Sequence, residues 1–139
     1  MKRAYLDTSV WITRTEGLPA YRDFVRKGLL VLMEDEWQFC FSDLVTLEVL
    51  IKPHRQNQQE LVTIYNEAFL EAVHLSTFET VFHNALSYAQ RDGLKALDAI
   101  HVAFAVEYEC EIFVTTDPDF CTLQSLPLHW IDLSQAAPK

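Results

Sequence analysis

Short apolar clusters that alternate with stretches of helical periodicity constrain this chain more than any other feature. Apolar residues bounded by turn signals predict strands at 3–6, 38–41, 112–115 and 129–131, with a weaker one at 73–75. Helical patterns fill the intervals at 10–15, 21–34, 42–51, 55–72, 78–92 and 95–108, and a short turn follows Pro118. Strands separated by helices join through right-handed crossovers. The expected class is therefore α/β, a three-layer α/β/α sandwich around a mainly parallel sheet of four or five strands. Ligands in such sheets gather at the carboxyl ends of the strands. With three glycines, five prolines, no Gly/Ser/Pro-rich linker and no internal repeat, residues 1–139 are expected to form one domain. Gly93 and Pro53 read as helix terminators.

Half of the residues are hydrophobic, enough for a core without staples, yet the uninterrupted apolar runs are short beside the roughly 20 residues of a membrane-spanning helix. The opening Met-Lys-Arg-Ala-Tyr-Leu meets Asp7 before a signal-like stretch can form, so a cytoplasmic protein without membrane association is expected. Cys40, Cys110 and Cys121 are odd in number and lack both a C-x-x-C pair and zinc-ligand spacing with the histidines, which predicts reduced thiols. A formal charge of −9 argues against a broad basic surface that grips nucleic acid through counterion release. It fits a site that concentrates carboxylates, or a basic partner.

Four acids stand out. Asp7 follows the apolar Ala4-Tyr5-Leu6, where the first strand ends and a helix begins. It could cap that helix, although Thr8 and Ser9 could cap it equally well and free Asp7 for other work. Glu48 has Leu44 four residues before it and Ile51 three after, which sets it on an apolar helix face or at the edge of one. Asp98 interrupts Leu97-Asp98-Ala99-Ile100-His101-Val102-Ala103-Phe104-Ala105-Val106, a helix apolar around its whole circumference. A carboxylate there is costly unless paired or bound to a cation, because the helix dipole returns only about 0.3–1 kcal/mol. Asp117 follows another strand and precedes Pro118, so it too reads both as a helix cap and as a strand-end ligand, with Asp119 as a nearby competitor. Converging at one sheet edge, such carboxylates would repel one another, and hard oxygen donors suit Mg2+ or Mn2+.

In order along the chain, Tyr5-Leu-Asp-Thr-Ser9, Ser42-Asp-Leu-Val-Thr-Leu-Glu48, Leu97-Asp-Ala-Ile-His-Val-Ala103 and Val114-Thr-Thr-Asp-Pro-Asp-Phe120 resemble the PIN-domain ribonucleases. More narrowly, they resemble the VapC-like toxins of type II bacterial toxin–antitoxin pairs. The resemblance implies a PIN-like sandwich and a Mg2+- or Mn2+-dependent endoribonuclease with Asp7, Glu48, Asp98 and Asp117 as its catalytic acids. Asp7, Asp98 and Asp117 would hold the metal, and Glu48 a second ion or the attacking water. Thr8, Ser9, Thr115 and Asp119 would support the site. The products would carry 5′-phosphate and 3′-hydroxyl ends. An RNA substrate, a small antitoxin covering the active site and a homodimer are further implications. Residues 17–37 and 54–73 carry no recognisable motif, and substrate and partner choice would lie there.

Arg14, Lys52 and Arg55 are candidates for phosphate contact, against the simpler reading of solvated surface charges. His101, three residues after Asp98, reads as a packed, hydrogen-bonded histidine in preference to a general base. Trp130 reads as core. Two rival functions remain: a solitary RNA-processing nuclease, and a catalytically silent interaction module whose acid pocket only stabilises the fold.

Overall fold

A computed structural model describes residues 1–136. The order is β1 (Arg3–Leu6), α1 (Thr8–Glu16), α2 (Pro19–Glu34), β2 (Gln38–Ser42), α3 (Asp43–Arg55), α4 (Gln59–Leu70) and β3 (Val73–Leu75). It continues with α5 (Val81–Asp92), α6 (Ala96–Glu107), β4 (Ile112–Thr115) and β5 (Leu128–Trp130). Short 3₁₀ turns cover Pro118–Thr122 and Leu133–Ala136. All five strands are parallel, in the order β3-β2-β1-β4-β5. No described helix is long and apolar enough to cross a membrane.

The register explains why β1 is apolar on both sides. Tyr5 lies opposite Cys40 of β2 and Phe113 of β4, so the pleat puts these three on one face and Leu6, Phe41 and Val114 on the other. On the first face Tyr5 stacks on Phe113 with centroids 5.3 Å apart and meets His101 of α6, which packs against α5. On the second, Trp11 of α1 donates to the Leu6 carbonyl and packs edge-on against Phe41 and against Phe69 of α4. Ala4, Tyr5 and Leu6 are consequently buried together, as a central strand covered by two helical layers requires. Each such large side chain contributes on the order of 1.5–3 kcal/mol of burial.

Several boundaries depart from expectation. Pro53 does not end its helix: α3 runs on to Arg55, and Pro53 is buried within it. A proline this near the carboxyl end removes one helical hydrogen bond without stopping the last turn. The break falls instead at Gln56–Gln58, where Asn57 takes a left-handed φ of 55°, so the long helix expected over 55–72 begins only at Gln59. Gly93 does end α5, in the left-handed conformation at φ 66°. β5 starts one residue early, and the 3₁₀ turn at Leu133–Ala136 against α2 was not signalled by periodicity.

The strand order reverses at β1, which has β2 on one side and β4 on the other. The carboxyl ends of β1 and β4 therefore border the crevice where open α/β sheets bind ligands.

Candidate active site

Asp7 closes β1, and its backbone N–H bonds the Val114 carbonyl of β4 at 3.1 Å. It is only 4% exposed, and both oxygens of its carboxylate are engaged in the fold. Oδ1 caps α1, accepting from the Ser9 and Val10 amides at 3.0 and 3.4 Å and from Ser9 Oγ at 2.5 Å. Capping thus falls to Asp7 itself and not to Thr8 or Ser9. Among the described residues Oδ2 accepts only from Thr115 Oγ1, at 2.8 Å, which leaves it one lone-pair direction. Burial pushes the Asp7 pKa above the usual carboxylate value despite the opposing influence of His101, Ser9 and Thr115.

Thr115, fully buried, ties two of the acids together. Its hydroxyl donates to Asp7 and accepts from the Asp117 amide at 2.9 Å. Ser9 adds a second strut, its Oγ accepting from the Thr116 amide at 3.1 Å. Asp117 caps the 3₁₀ turn that Pro118 begins, with Oδ1 accepting from the Asp119 amide at 2.9 Å. The cap and ligand readings of Asp7 and Asp117 are therefore compatible, because each carboxylate caps with one oxygen and presents the other.

Asp98 emerges from the first turn of α6. That helix buries Ala99 and the run from His101 to Ala105, but Leu97 is 52% exposed and Asp98 itself only half-buried. It is not locked in the core as the all-round apolar pattern suggested. It sits at the core's rim, where oxygens of Asp98, Asp117 and Asp119 all come within 4.8 Å of one another. Burial and then the Asp117 charge raise the Asp98 pKa, with smaller contributions from Asp7 and Asp119. Asp119 is exposed, with Lys95 Nζ 3.4 Å from it.

Glu48 is half-buried, beside the buried Val45–Val49–Pro53 stripe of α3 and not on it; its supposed apolar neighbour Ile51 is 46% exposed. Oε1 accepts from Thr8 Oγ1 at 2.8 Å and meets His101 Nε2 at 2.6 Å. Burial would raise the Glu48 pKa, but these two bonds outweigh it and hold the carboxyl below its usual value. His101 is packed and bonded through both ring nitrogens, its Nδ1 lying 2.7 Å from the Tyr5 hydroxyl.

Tyr5 and Ser42 escaped the sequence reading because their bonds join residues 37 and 96 positions apart. Asp92, buried at 3% exposure with Ser125 donating to one oxygen, gave no signal either: an acid before a helix-ending glycine reads as surface. Of the basic candidates, Lys52 and Arg55 are exposed in the last turn of α3. Arg14 faces Arg26 across an apolar groove lined by Leu6, Trp11 and Leu29, and none of the site carboxylates lines it. Trp130 is not core: it is 41% exposed on the edge strand β5, with its indole N–H on the Thr116 carbonyl at 3.3 Å.

A family model described as PIN domain matches residues 4–126. No curated protein matches the sequence. Among solved structures, VapBC-1 from nontypeable Haemophilus influenzae superposes with a TM-score of 0.71 at 13% identity, covering 93% of this chain and 98% of that one. VapBC2 from Rickettsia felis, bound to a DNA fragment from its promoter, gives 0.70 at 15% identity over 91% and 97% of the two chains. VapC20 from Mycobacterium tuberculosis, a sarcin-ricin-loop-cleaving toxin, gives 0.67 at 14% identity over 85% and 92%. At these identities the likeness is one of fold.

Proposed function

This chain belongs to the PIN-domain family, and from that premise we propose that it is a metal-dependent endoribonuclease, the toxin of a toxin–antitoxin pair. The observation that carries the reading is the convergence of Asp98, Asp117 and Asp119 beside Asp7, at the crevice between β1 and β4. Three crowded acids with one nearby ammonium, Lys95 at 3.4 Å from Asp119, are unfavourable by themselves, and the donor set is oxygen only. That suits Mg2+ or Mn2+ far better than zinc. Asp7 through Oδ2, with Asp98 and Asp117, would hold the cation, and Asp119 lies close enough to join them. A cation so held supplies an activated water and neutralises charge on the departing 3′ oxygen.

The remaining work falls to the chain's own groups. Thr115 and Ser9 keep Asp7 and Asp117 at a fixed separation, so the ligand set is preorganised before substrate arrives. Glu48 makes its bonds through Oε1, and among the described residues no donor engages Oε2. That oxygen is the acceptor that would orient the attacking water in line with the phosphorus. With a chain charge of −9, local cations must meet the RNA backbone. Lys52 and Arg55, exposed beyond Glu48 on the same helix, are suited to it.

An antitoxin partner fits the VapBC complexes among the structural neighbours. The groove of about 400 Å³ between α1, α2 and α4, apolar at its floor and edged by Arg14, Arg26 and Glu71, would accept an apolar side chain, with an acid beside it toward the two arginines. Homodimerisation is part of the same proposal. The decisive experiment incubates purified protein with mixed RNA in Mg2+, Mn2+ or chelator, beside Asp7→Asn and Asp98→Asn. Cleavage confined to the metal-supplied wild type is expected, and cleavage that persists in chelator or in both variants refutes the proposal. For the partner, a short adjoining gene that encodes a DNA-binding N-terminus is expected; its absence would favour a solitary RNA-processing nuclease.

A further inference from the structure

Glu48 is held by a closed hydrogen-bond circuit that begins and ends on its own helix. Ser42 caps α3, its Oγ accepting from the Val45 amide at 3.4 Å. That hydroxyl lies 2.7 Å from Tyr5 Oη on β1, and Tyr5 Oη lies 2.7 Å from His101 Nδ1 on α6. His101 Nε2 then returns to α3 at Glu48 Oε1, 2.6 Å away. Ser42 and Tyr5 are completely buried and His101 is 3% exposed, so water has no access to substitute for the links among these three.

Only one arrangement of protons satisfies every member. An ionised Glu48 accepts only, so Nε2 carries a hydrogen and donates. Were Nδ1 protonated as well, it would donate to Tyr5, Tyr5 would donate to Ser42, and the Ser42 hydroxyl hydrogen would be left in a dry core with no acceptor. With Nδ1 bare, the direction is unbroken: Val45 amide to Ser42 Oγ, Ser42 hydroxyl to Tyr5 Oη, Tyr5 hydroxyl to Nδ1, and Nε2–H to Glu48. The alternative neutral ring, with hydrogen on Nδ1, turns a lone pair toward the carboxylate oxygen.

We propose that Tyr5, backed by Ser42, selects the Nε2–H tautomer of His101 and through it fixes the Glu48 carboxylate, making Tyr5 and His101 positioning residues for that acid. Its relevance to catalysis rests on the nuclease reading above; the tautomer itself does not. The second donor on Oε1, Thr8, also lies 3.3 Å from His101 Nε2, but it has no contact with Nδ1 and leaves the Ser42 hydroxyl unserved, so it does not replace the tyrosine. Tyr5→Phe is the clean perturbation, because the ring and its stack on Phe113 survive while the one hydroxyl is lost.

Two measurements separate the possible failures. Nitrogen-15 NMR of histidine-labelled wild-type protein should show His101 with an unprotonated Nδ1 and a protonated Nε2. A doubly protonated ring or an Nδ1–H ring would overturn the assignment whether or not the protein cuts RNA. In Tyr5→Phe the Nδ1 signal should move and the tautomer become mixed. Metal-dependent RNA cleavage by that variant should lose about 10–100-fold in kcat with little change in KM, the range seen when second-layer partners of a site are removed. An unchanged kcat, or an equal loss traced to a lower melting temperature, would refute the positioning role. His101→Gln, which keeps an N–H toward Glu48, should retain more activity than His101→Leu, and equality of the two would count against it.

Discussion

Replacing Asp98 by Asn should make the metal-free protein more stable, although Asp98 is one of the residues on which the proposed activity depends. The magnitude follows from the site. Oxygens of Asp98 and Asp117 lie within 4.8 Å, a separation at which like charges repel by roughly 1 kcal/mol in a water-like medium and about 3.5 kcal/mol at an effective dielectric of 20. Asp98 is half-exposed, so the lower part of that range applies, about 1–2 kcal/mol. Asp119 adds little, being exposed and partly neutralised by Lys95. Against this, the substitution removes an acid from the first turn of α6, where the helix dipole stabilises it by about 0.3–1 kcal/mol. Taken at mid-range, the net gain is about 0.8 kcal/mol within a span of about 0–1.7 kcal/mol, or a rise in Tm of roughly 3 °C for a domain of this size. Differential scanning fluorimetry in chelator measures it directly. The same assay with Mn2+ should reverse the ranking, because a cation that binds the folded state raises the wild-type Tm and has one ligand fewer in the variant. A variant that melts at or below wild type in chelator, and gains as much from Mn2+, would refute the picture of a cluster strained by its own charge.

The pH dependence of that metal effect is a second test. Asp7 and Asp98 have raised pKa values in the fold, so their contribution to stability is fully present below the unfolded value near 3.9 and is lost as pH rises through the folded values. Stabilisation by added Mn2+ should therefore be greater at neutral pH than near pH 4, as thermal melts at matched ionic strength would show. Thr115→Val leaves Asp7 Oδ2 and the Asp117 amide without their shared partner and should cost about 1–3 kcal/mol in urea unfolding, together with weaker Mn2+ binding by calorimetry. Trp11→Ala, which removes a ring packed on Phe41 and Phe69, should cost about 3–5 kcal/mol by the same urea assay, and a loss under 1 kcal/mol would contradict the packing described.

Much of the fold is legible in the sequence because its strands are buried on both faces and bounded by turns. β1, β3 and β4 fall where the apolar clusters put them. The failures have physical causes. Pro53 was read as a terminator, but in a last turn the lost amide bond is cheap and the ring is buried. Trp130 looked like core from its strand, yet β5 is an edge strand, and edge position is a property of strand order that local pattern does not carry. The site divides in the same way. Asp7, Asp98 and Asp117 announce themselves as acids at strand ends or on an apolar helix, and the structure places them around one crevice. The connections of Glu48 are invisible locally, because Thr8, His101 and, through His101, Tyr5 reach it from three other elements. Asp98 lies at the rim although its helix is central, because an apolar circumference places a helix in the core without placing its first turn there.

The hydroxyl bridge from Thr115 to Asp7 spans 108 positions, more than three quarters of the chain. β1 is made first during synthesis, yet its position in the middle of the sheet is complete only when β4 arrives from near the other end. Contacts so distant form late, after the local helices. A chain interrupted between residues 98 and 112 would hold Asp7, Glu48 and Asp98 without β4, Thr115 or Asp117. On the proposed reading, a copy interrupted there lacks part of the site, and the chemistry belongs only to chains that have already made β4.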